Sequence, residues 1–423
     1  MRPRWRKVFH DLIDNKARTL LVVFSIAVGV FSIGVISGAY QIISNDMSIS
    51  YAANNPGNIE LRMSSFDEDV LSSIRNSSGV LDAEGRRIVN YRVRTEGDDQ
   101  WVTLDLVVLE NFSENKVNLL VPVSGEIEAA KDEILLEKDA LKKLDIAVGG
   151  YLIFELADGT NKPLKVVGIV QDASTGAGDF LAPPFAYTVM KTMQTLRQPE
   201  TFNRAYVTVS ELQDDLSHIR EVGADVKDKL EKNGVTVTRS RFSETHKHPL
   251  TDTVNAVLGI LMALGILIVF LSSSLIANTL NALLNQHLRH IGVIKLVGGR
   301  NKQVFVMYLI LIMAFSVLAL LIAIPLGGQG AYGLALYLAS ELHFNLLGYR
   351  IVPMALMIQI AVGLLVPLVA GLVPVLNGSR ITVLRALSND LSGDENTSQK
   401  GQQDKVGWLD WALVRLTRIL SAR

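Results

Sequence analysis

Four long uncharged stretches punctuate the chain in an uneven order. The first covers Thr19–Ile43. About two hundred residues of mixed polarity follow, and then Thr253–Gln286, Gln303–Ser340 and Ile351–Ser379 come in quick succession. None of the four holds an Asp, Glu, Lys or Arg. A bilayer core is crossed by roughly 20 apolar helical residues, so each stretch is long enough to span. The pattern predicts a membrane α-helical protein of four transmembrane helices, with an α+β extracytoplasmic domain inserted between helices 1 and 2. The expected boundaries are an amphipathic cytoplasmic helix at 1–18, crossings at 19–44, 251–286, 303–328 and 351–379, and the inserted domain at 45–250. A cytoplasmic loop at 287–302, an outward connection at 329–350 and a tail at 380–423 complete the layout.

Basic residues near the helix ends set the orientation. Arg2, Arg4, Arg6, Lys7, Lys16 and Arg18 precede the first crossing. Arg289, Lys295, Arg300 and Lys302 lie between the second and third, and Arg380 and Arg385 follow the fourth. The third-to-fourth connection holds Arg350 against Glu341. Both termini and the 287–302 loop are therefore expected in the cytoplasm, and the inserted domain outside. The first stretch exceeds the core of a cleaved signal peptide.

Within the inserted domain, periodicity predicts a strand over Asn58–Met63 and a helix over Phe66–Arg75. A hairpin is expected across Glu96–Asp99, joining Asn90–Arg94 to Trp101–Leu109. Lys138–Asp145 reads as a short helix. Tyr151–Leu156 and Leu164–Val170 pair around Asp158–Gly159, and Ala205–Val209 and Val235–Thr238 are strands. Leu212, Leu216, Ile219, Val226 and Leu230 line one face of a helix that Gly234 ends. The second uncharged stretch, roughly 50 Å as a helix, should project beyond the membrane. Pro325, Gly327 and Gly328 are expected to end or kink the third, and Pro353, Pro367 and Pro374 to kink the fourth. Gly29, Gly34 and Gly38 on the first crossing predict close helix packing. Past Leu387 the chain turns polar, then amphipathic from Trp408. That end is either a surface anchor or the start of a second copy of the layout.

Composition narrows the chemistry. The net charge of −1 gives no reason to expect nucleic acid. There is no cysteine, so disulfides and thiolate sites are excluded. No Gly-Lys dipeptide, His-Glu-x-x-His or Gly-x-Ser-x-Gly occurs. Uncharged membrane stretches argue against a proton relay or a charged midplane site. His246 and His248 flank Lys247 and are read as a solvated turn before the second crossing; Asp172–Asp179 reads as a flexible loop. The sharpest local feature is Leu288-Arg289-His290-Ile291-Gly292-Val293-Ile294-Lys295, closed by Gly298-Gly299-Arg300. Apolar and basic residues share one short amphipathic segment, as expected of a helix docked into a cytoplasmic partner. Leu288, Ile291, Gly292 and Ile294 are expected to face that partner, with Arg289, Lys295 and Arg300 at its edge.

Several segments together resemble the FtsX-like, or MacB-type, permeases of ATP-binding-cassette systems, and also the LolC/LolE-type lipoprotein-release permeases. They are Trp5-Arg6-Lys7, Asn15 to Leu21, Ser25 to Gly29, Ile134-Leu135-Leu136, Ala140 to Gly149, Val166 to Val170, Arg289 to Val293, Gly298 to Arg300 and Pro374 to Leu387. The resemblance implies a non-enzymatic permease subunit of a bacterial inner membrane. It implies that the loop after the second crossing contacts a separate ABC ATPase, and that a second permease chain completes the complex, as a homo- or heterodimer. No cofactor is expected on this chain, since the partner ATPase uses the ATP. Membrane lipid and an extracytoplasmic adaptor or cargo are the other expected partners. The implied activity is transmission of ATPase-driven motion to the outward domain, to export or extract a lipophilic, peptide or lipoprotein substrate. The alternatives are a non-transport mechanotransmitter regulating a cell-wall enzyme and, from another class, a membrane receptor. His290 departs from the family, which usually carries Glu there.

Overall fold

The longest apolar runs become helices that outlast them. A computed structural model describes residues 16–172 and 183–380, apart from the side chains of Arg18, Arg289 and His290. The expected N-terminal amphipathic helix, the 172–179 loop beyond Asp172 and the tail past Arg380 lie outside the described residues. Helix α1 covers Lys16–Ala53. Between it and the next long helix lie β1 (Ile59–Phe66), α2 (Glu68–Arg75), β2 (Val80–Thr95), β3 (Val102–Leu109), β4 (Leu120–Gly125) and β5 (Glu133–Glu137). They are followed by a 3-10 turn (Lys138–Lys142), β6 (Tyr151–Glu155), β7 (Asn161–Asp172), β8 (Phe185–Val189), α3 (Thr192–Thr195), β9 (Phe202–Val209), α4 (Leu216–Lys232) and β10 (Val237–Phe242). Helices α5 (Thr251–Gln286), α6 (Leu288–Leu296), α7 (Asn301–Leu342) and α8 (Pro353–Arg380) complete the described chain. Four of these helices, α1, α5, α7 and α8, are long and apolar enough to cross a membrane.

The strands form one mixed sheet in the order β10-β1-β9-β2-β3-β8-β5-β7-β4, with β6 beside β2 and β7. Only β3–β8 and β5–β7 pair in parallel among the described strands. Alternation along β1 buries Ile59 and Leu61 on one face. Ala205 and Val207 of β9 join them, and α2 and α4 cover that face with Leu71, Ile74, Ile219 and Val226. Each of these helices starts on an aspartate cap. The Asp67 side chain accepts from the Val70 amide, and that of Asp215 accepts from the amides of Ser217 and His218. Leu212, expected on the α4 face, instead lies before the helix, exposed and at φ +49°. The Asp215 cap starts the helix after it. The hairpin across Glu96–Asp99 is present, but β2 runs back to Val80, where it pairs with β9.

The helix ends depart furthest from expectation. Helix α1 does not stop near residue 44; it continues through Asn45 and Asp46 to Ala53, about 57 Å in all at 1.5 Å per residue. Asp46 has no exposed surface. Its carboxylate accepts from Arg350 Nη2 at 2.5 Å and Nη1 at 3.0 Å, and from the Leu347 amide at 3.1 Å. Ser50 Oγ accepts from the Asn345 amide at 3.0 Å. The 343–350 connection thus satisfies the polar groups that would otherwise end the helix.

Helix α7 likewise does not end at Gly328, so residues 329–342 are helix rather than connection. Pro325 removes one helical hydrogen bond, which membrane helices tolerate where neighbours resupply polar contacts. The carbonyl left without its helical donor is that of Leu321, and two residues on Gln359 Nε2 of α8 donates to the Ala323 carbonyl at 3.4 Å. Ala39, Ile42, Ile43 and Met47 of α1 pack with Val254 and Leu258 of α5 and with Ala331, Ala335 and Ala339 of α7.

Removing the Arg350 guanidinium should leave the Asp46 charge buried. Because Arg350 is one-third exposed, Arg350→Ala should cost about 2 kcal/mol, below the roughly 3–5 kcal/mol of a fully buried pair. Thermal unfolding of the purified protein in detergent measures it. Asp46→Asn in the same background should recover part of the loss. An Arg350→Ala variant as stable as the wild type would show that the pair holds nothing.

Candidate functional site

Helix α6 places most of the expected contact residues on one short element. Its first residue follows α5 almost without a break, and Val297 and Gly298 close it. Gly298 adopts φ +93°, a left-handed conformation that suits glycine at a helix end. A Cβ on Gly299 would sit 2.6 Å from the Ile294 carbonyl oxygen, so the stop needs a glycine there as well. Lys295 Nζ donates to the Ser379 carbonyl at 2.8 Å, at the C-terminal end of α8. A cation beside those last carbonyls is favourably placed against the helix dipole. Tyr308 Oη of α7 lies 3.3 Å from His287 Nδ1.

The segment's two faces differ from expectation. Ile291 and Gly292 are buried in the chain's own fold, and Leu288 and Ile294 are half-buried. The apolar residues that face outward are Val293, Leu296 and Val297, at 50, 61 and 85% exposure. Arg300 is exposed beside them, and Lys295 turns back to α8. Periodicity located the amphipathic helix, but residues alone could not show which apolar stripe the neighbouring helices would take.

The glycines of α1 pack within the chain. A Cβ on Gly34 would lie 1.7 Å from Gln359 Nε2, and one on Gly38 would lie 2.8 Å from the Ala331 Cβ. Gly29 is buried as well. At Gly34 and Gly38 the stripe is occupied by α7 and α8 of the same chain, so those two positions offer no ground for pairing with a second chain. A cavity of about 260 Å³ adjoins it, lined by Gly34, Gly38, Pro325, Tyr349 and Gln359 among others.

One polar constellation was not foreseen. Glu60 and Arg62 of β1, Arg86 of β2, Arg204 and Tyr206 of β9 and Arg241 of β10 line a cavity of about 370 Å³. Tyr51 of α1 and Pro249, just before α5, also line it. Strand register creates it, since Glu60 stands opposite both Arg241 and Tyr206, and Arg204 opposite both Arg62 and Arg86. Glu60 Oε1 pairs with Arg204 at 2.6 Å and with Arg62 at 2.9 Å. Arg86, 2% exposed, pairs with Glu84 at 3.0 Å and donates to the Val117 and Asn118 carbonyls. Burial, with Glu60 adding to it, pushes the Tyr206 hydroxyl up to about 12. The arrangement is a paired charge network with no nucleophile–base geometry. The two histidines before α5 are not both solvated. His246 pairs with Asp214 at 2.8 Å on the surface, whereas His248 is buried against the Tyr51 ring.

A family model described as the FtsX-like permease C-terminal matches residues 262–383, and one described as the MacB-like periplasmic core domain matches residues 19–222. Among solved structures, the chain is similar to the extracellular domain of the noncanonic ABC-type transporter YknZ from Gram-positive bacteria. The identity is 13%, 44% of this chain and 98% of that one are covered, and the TM-score is 0.32. It is similar also to the periplasmic region of MacB from Actinobacillus actinomycetemcomitans. There the identity is 13%, the coverage 49% and 95%, and the TM-score 0.32. No curated protein matches the chain.

The fit of Gln359 against Gly34 generates a prediction. Gly34→Ala should overpack the contact and cost about 1–3 kcal/mol. In a Gln359→Ala background the same change should cost markedly less, since the amide it collides with is gone. Equal costs in the two backgrounds, read by thermal unfolding, would mean that the pair does not touch.

Proposed function

The chain belongs to the FtsX/MacB-type ABC transporter permease family, which implies a partner ATPase, and from that membership we propose that α6 is the element the ATPase drives. Motion delivered there passes through the long helices to the outward domain and serves export or extraction of a lipophilic, peptide or lipoprotein substrate. The observation that carries the reading is the two-sided burial of α6. One face is buried at Ile291 and tied to α8 through Lys295 on Ser379, and the other presents Val293, Leu296 and Val297 beside Arg300. Apolar anchors with a basic edge are what a protein contact uses. A face locked on one side is what lets a push be passed on rather than absorbed.

In this reading α6 and both termini are cytoplasmic, the β-rich domain lies outside a bacterial inner membrane, and a second permease chain of like layout completes the complex. The basic residues flanking α1, α6 and α8 support that orientation. ATP is bound and hydrolysed by the partner, and this chain transmits the motion without catalysing a reaction of its own.

Leu296→Asp or Val297→Asp should abolish stimulation of the ATPase while leaving the melting temperature and membrane level unchanged. Ile291→Asp should act differently. A carboxylate forced into that buried position should lower stability by several kcal/mol, roughly the cost of an unpaired buried charge. Full ATPase association in both Leu296→Asp and Val297→Asp would make α6 a plain connector.

Orientation has its own test, because the chain lacks cysteine and any introduced one is unique. Asp99, exposed at the β2–β3 turn, is an external position in this reading. Asp99→Cys should react with an impermeant thiol reagent on intact spheroplasts, and Asn301→Cys only after lysis. Reversed labelling would overturn the orientation and the transmission reading with it.

A further inference from the structure

Three side chains from two distant segments of the sequence converge where the outward domain meets the end of α7. Glu137 ends β5, Asp139 sits in the 3-10 turn that follows, and His343 is the residue after α7. Their ligand atoms all lie within 4.8 Å of one another. His343 Nε2 is 3.3 Å from Asp139 Oδ1, and Nδ1 is 3.7 Å from Glu137 Oε1. The His343 and Glu137 side chains are 3 and 5% exposed, and that of Asp139 is 11%.

Glu137 supplies the independent signal. One of its oxygens, Oε2, accepts from the Asp139 amide at 2.6 Å. The other, Oε1, is buried and has no hydrogen-bond partner, and at 3.7 Å from the imidazole it is beyond hydrogen-bond distance. A buried carboxylate oxygen left so is costly and points at something that would satisfy it. His343 is held at φ +56°, outside the common range of a non-glycine residue. Its carbonyl accepts from Gln171 Nε2 at 2.6 Å, which fixes the backbone that carries the ring.

We propose that Glu137, Asp139 and His343 form a binding site for one divalent transition-metal ion, with Zn²⁺ the best fit to one imidazole nitrogen and two carboxylate oxygens. Such an ion takes donors at about 2.0–2.2 Å, which places tetrahedral donors roughly 3.3–3.6 Å apart. The spacing here needs only a small contraction and a turn of the imidazole to aim one nitrogen inward. Lys142 Nζ, 3.0 Å from Asp139 and 3.4 Å from Glu341, has a second carboxylate to keep when the ion takes Asp139. Three protein ligands leave a fourth position for water. The ion would tie β5 and its following turn to the end of α7, stapling the outward domain to a membrane helix.

The full chain, purified in lipid nanodiscs and stripped with EDTA, should take up one Zn²⁺ per chain at micromolar free metal, measured by competition with a chromogenic chelator. Zn²⁺ should also raise its melting temperature. Glu137→Gln, isosteric with the wild type, and His343→Gln should each weaken uptake by about 100-fold, at or beyond the upper end for loss of a supporting ligand contact, and remove the thermal shift. His246→Gln, on the surface pair with Asp214, should change neither. Should His343→Gln fail to fold, Glu137→Gln decides alone. Absence of stoichiometric uptake, uptake that survives Glu137→Gln, or uptake lost in His246→Gln would each overturn the site.

Discussion

A carboxylate with no exposed surface, on a helix built to cross a membrane, has to be answered by a cation. Asp46 on α1 is answered by Arg350. That requirement organises much of the junction around it. It brings the α7–α8 connection onto α1, where the Leu347 and Asn345 amides find acceptors in Asp46 and Ser50. It lets α1 continue past its apolar run to Ala53. The extension carries Tyr51 to the charged cavity formed by β1, β2, β9 and β10. Without the pair, the polar residues after Ile43 would be expected to end the helix, and the domain would hang from a loop.

The same logic recurs nearby. Gln359 fills the space two glycines leave and reaches a carbonyl two residues before Pro325. Glu137, Asp139 and His343 draw the end of α7 to β5. For Asp46 and Gln359, a polar group in an apolar setting meets its partner in a different part of the chain, and those meetings fix which elements touch. Apolar packing among Ala39, Ile43, Leu258 and Ala335 adds area, but hydrocarbon packs nearly as well against lipid. The polar pairs supply the selectivity. The α6 end of the chain follows the same rule, with Lys295 on the Ser379 carbonyl.

The sequence made the four crossings legible, because a long run without charge has few other uses. It also showed the strands around Asp158–Gly159 and, apart from Leu212, the α4 face, where period and turn residues agree. Helix ends were less legible. Asp46 and Asn45 read as the close of a crossing when taken alone, and only Arg350, some three hundred positions away, explains why the helix goes on. Pro325, Gly327 and Gly328 read as a break when taken alone, since the packing of Gln359 against Gly327 was invisible to a local window. The strands Leu120–Gly125, Glu133–Glu137 and Phe185–Val189 are short, and their pairings are set by partners distant in sequence. The α6 segment was found by its amphipathicity, yet its inner and outer faces were reversed, because both carry branched aliphatic residues. The arginine-lined cavity and the Glu137–His343 cluster depend on register and on a meeting of remote segments, which no spacing along the chain encodes.

The proposed transmission requires that the β-rich domain and the ends of α1 and α7 beside it move as one piece. Spin labels at Asp225 on α4 and Tyr337 on α7, both exposed, test it in the otherwise cysteine-free chain. Pulsed electron–electron resonance on the complex with its ATPase should give the same distance distribution with and without ATP. A distribution that shifts or broadens with nucleotide would make the Asp46–Arg350 junction a hinge and contradict the account.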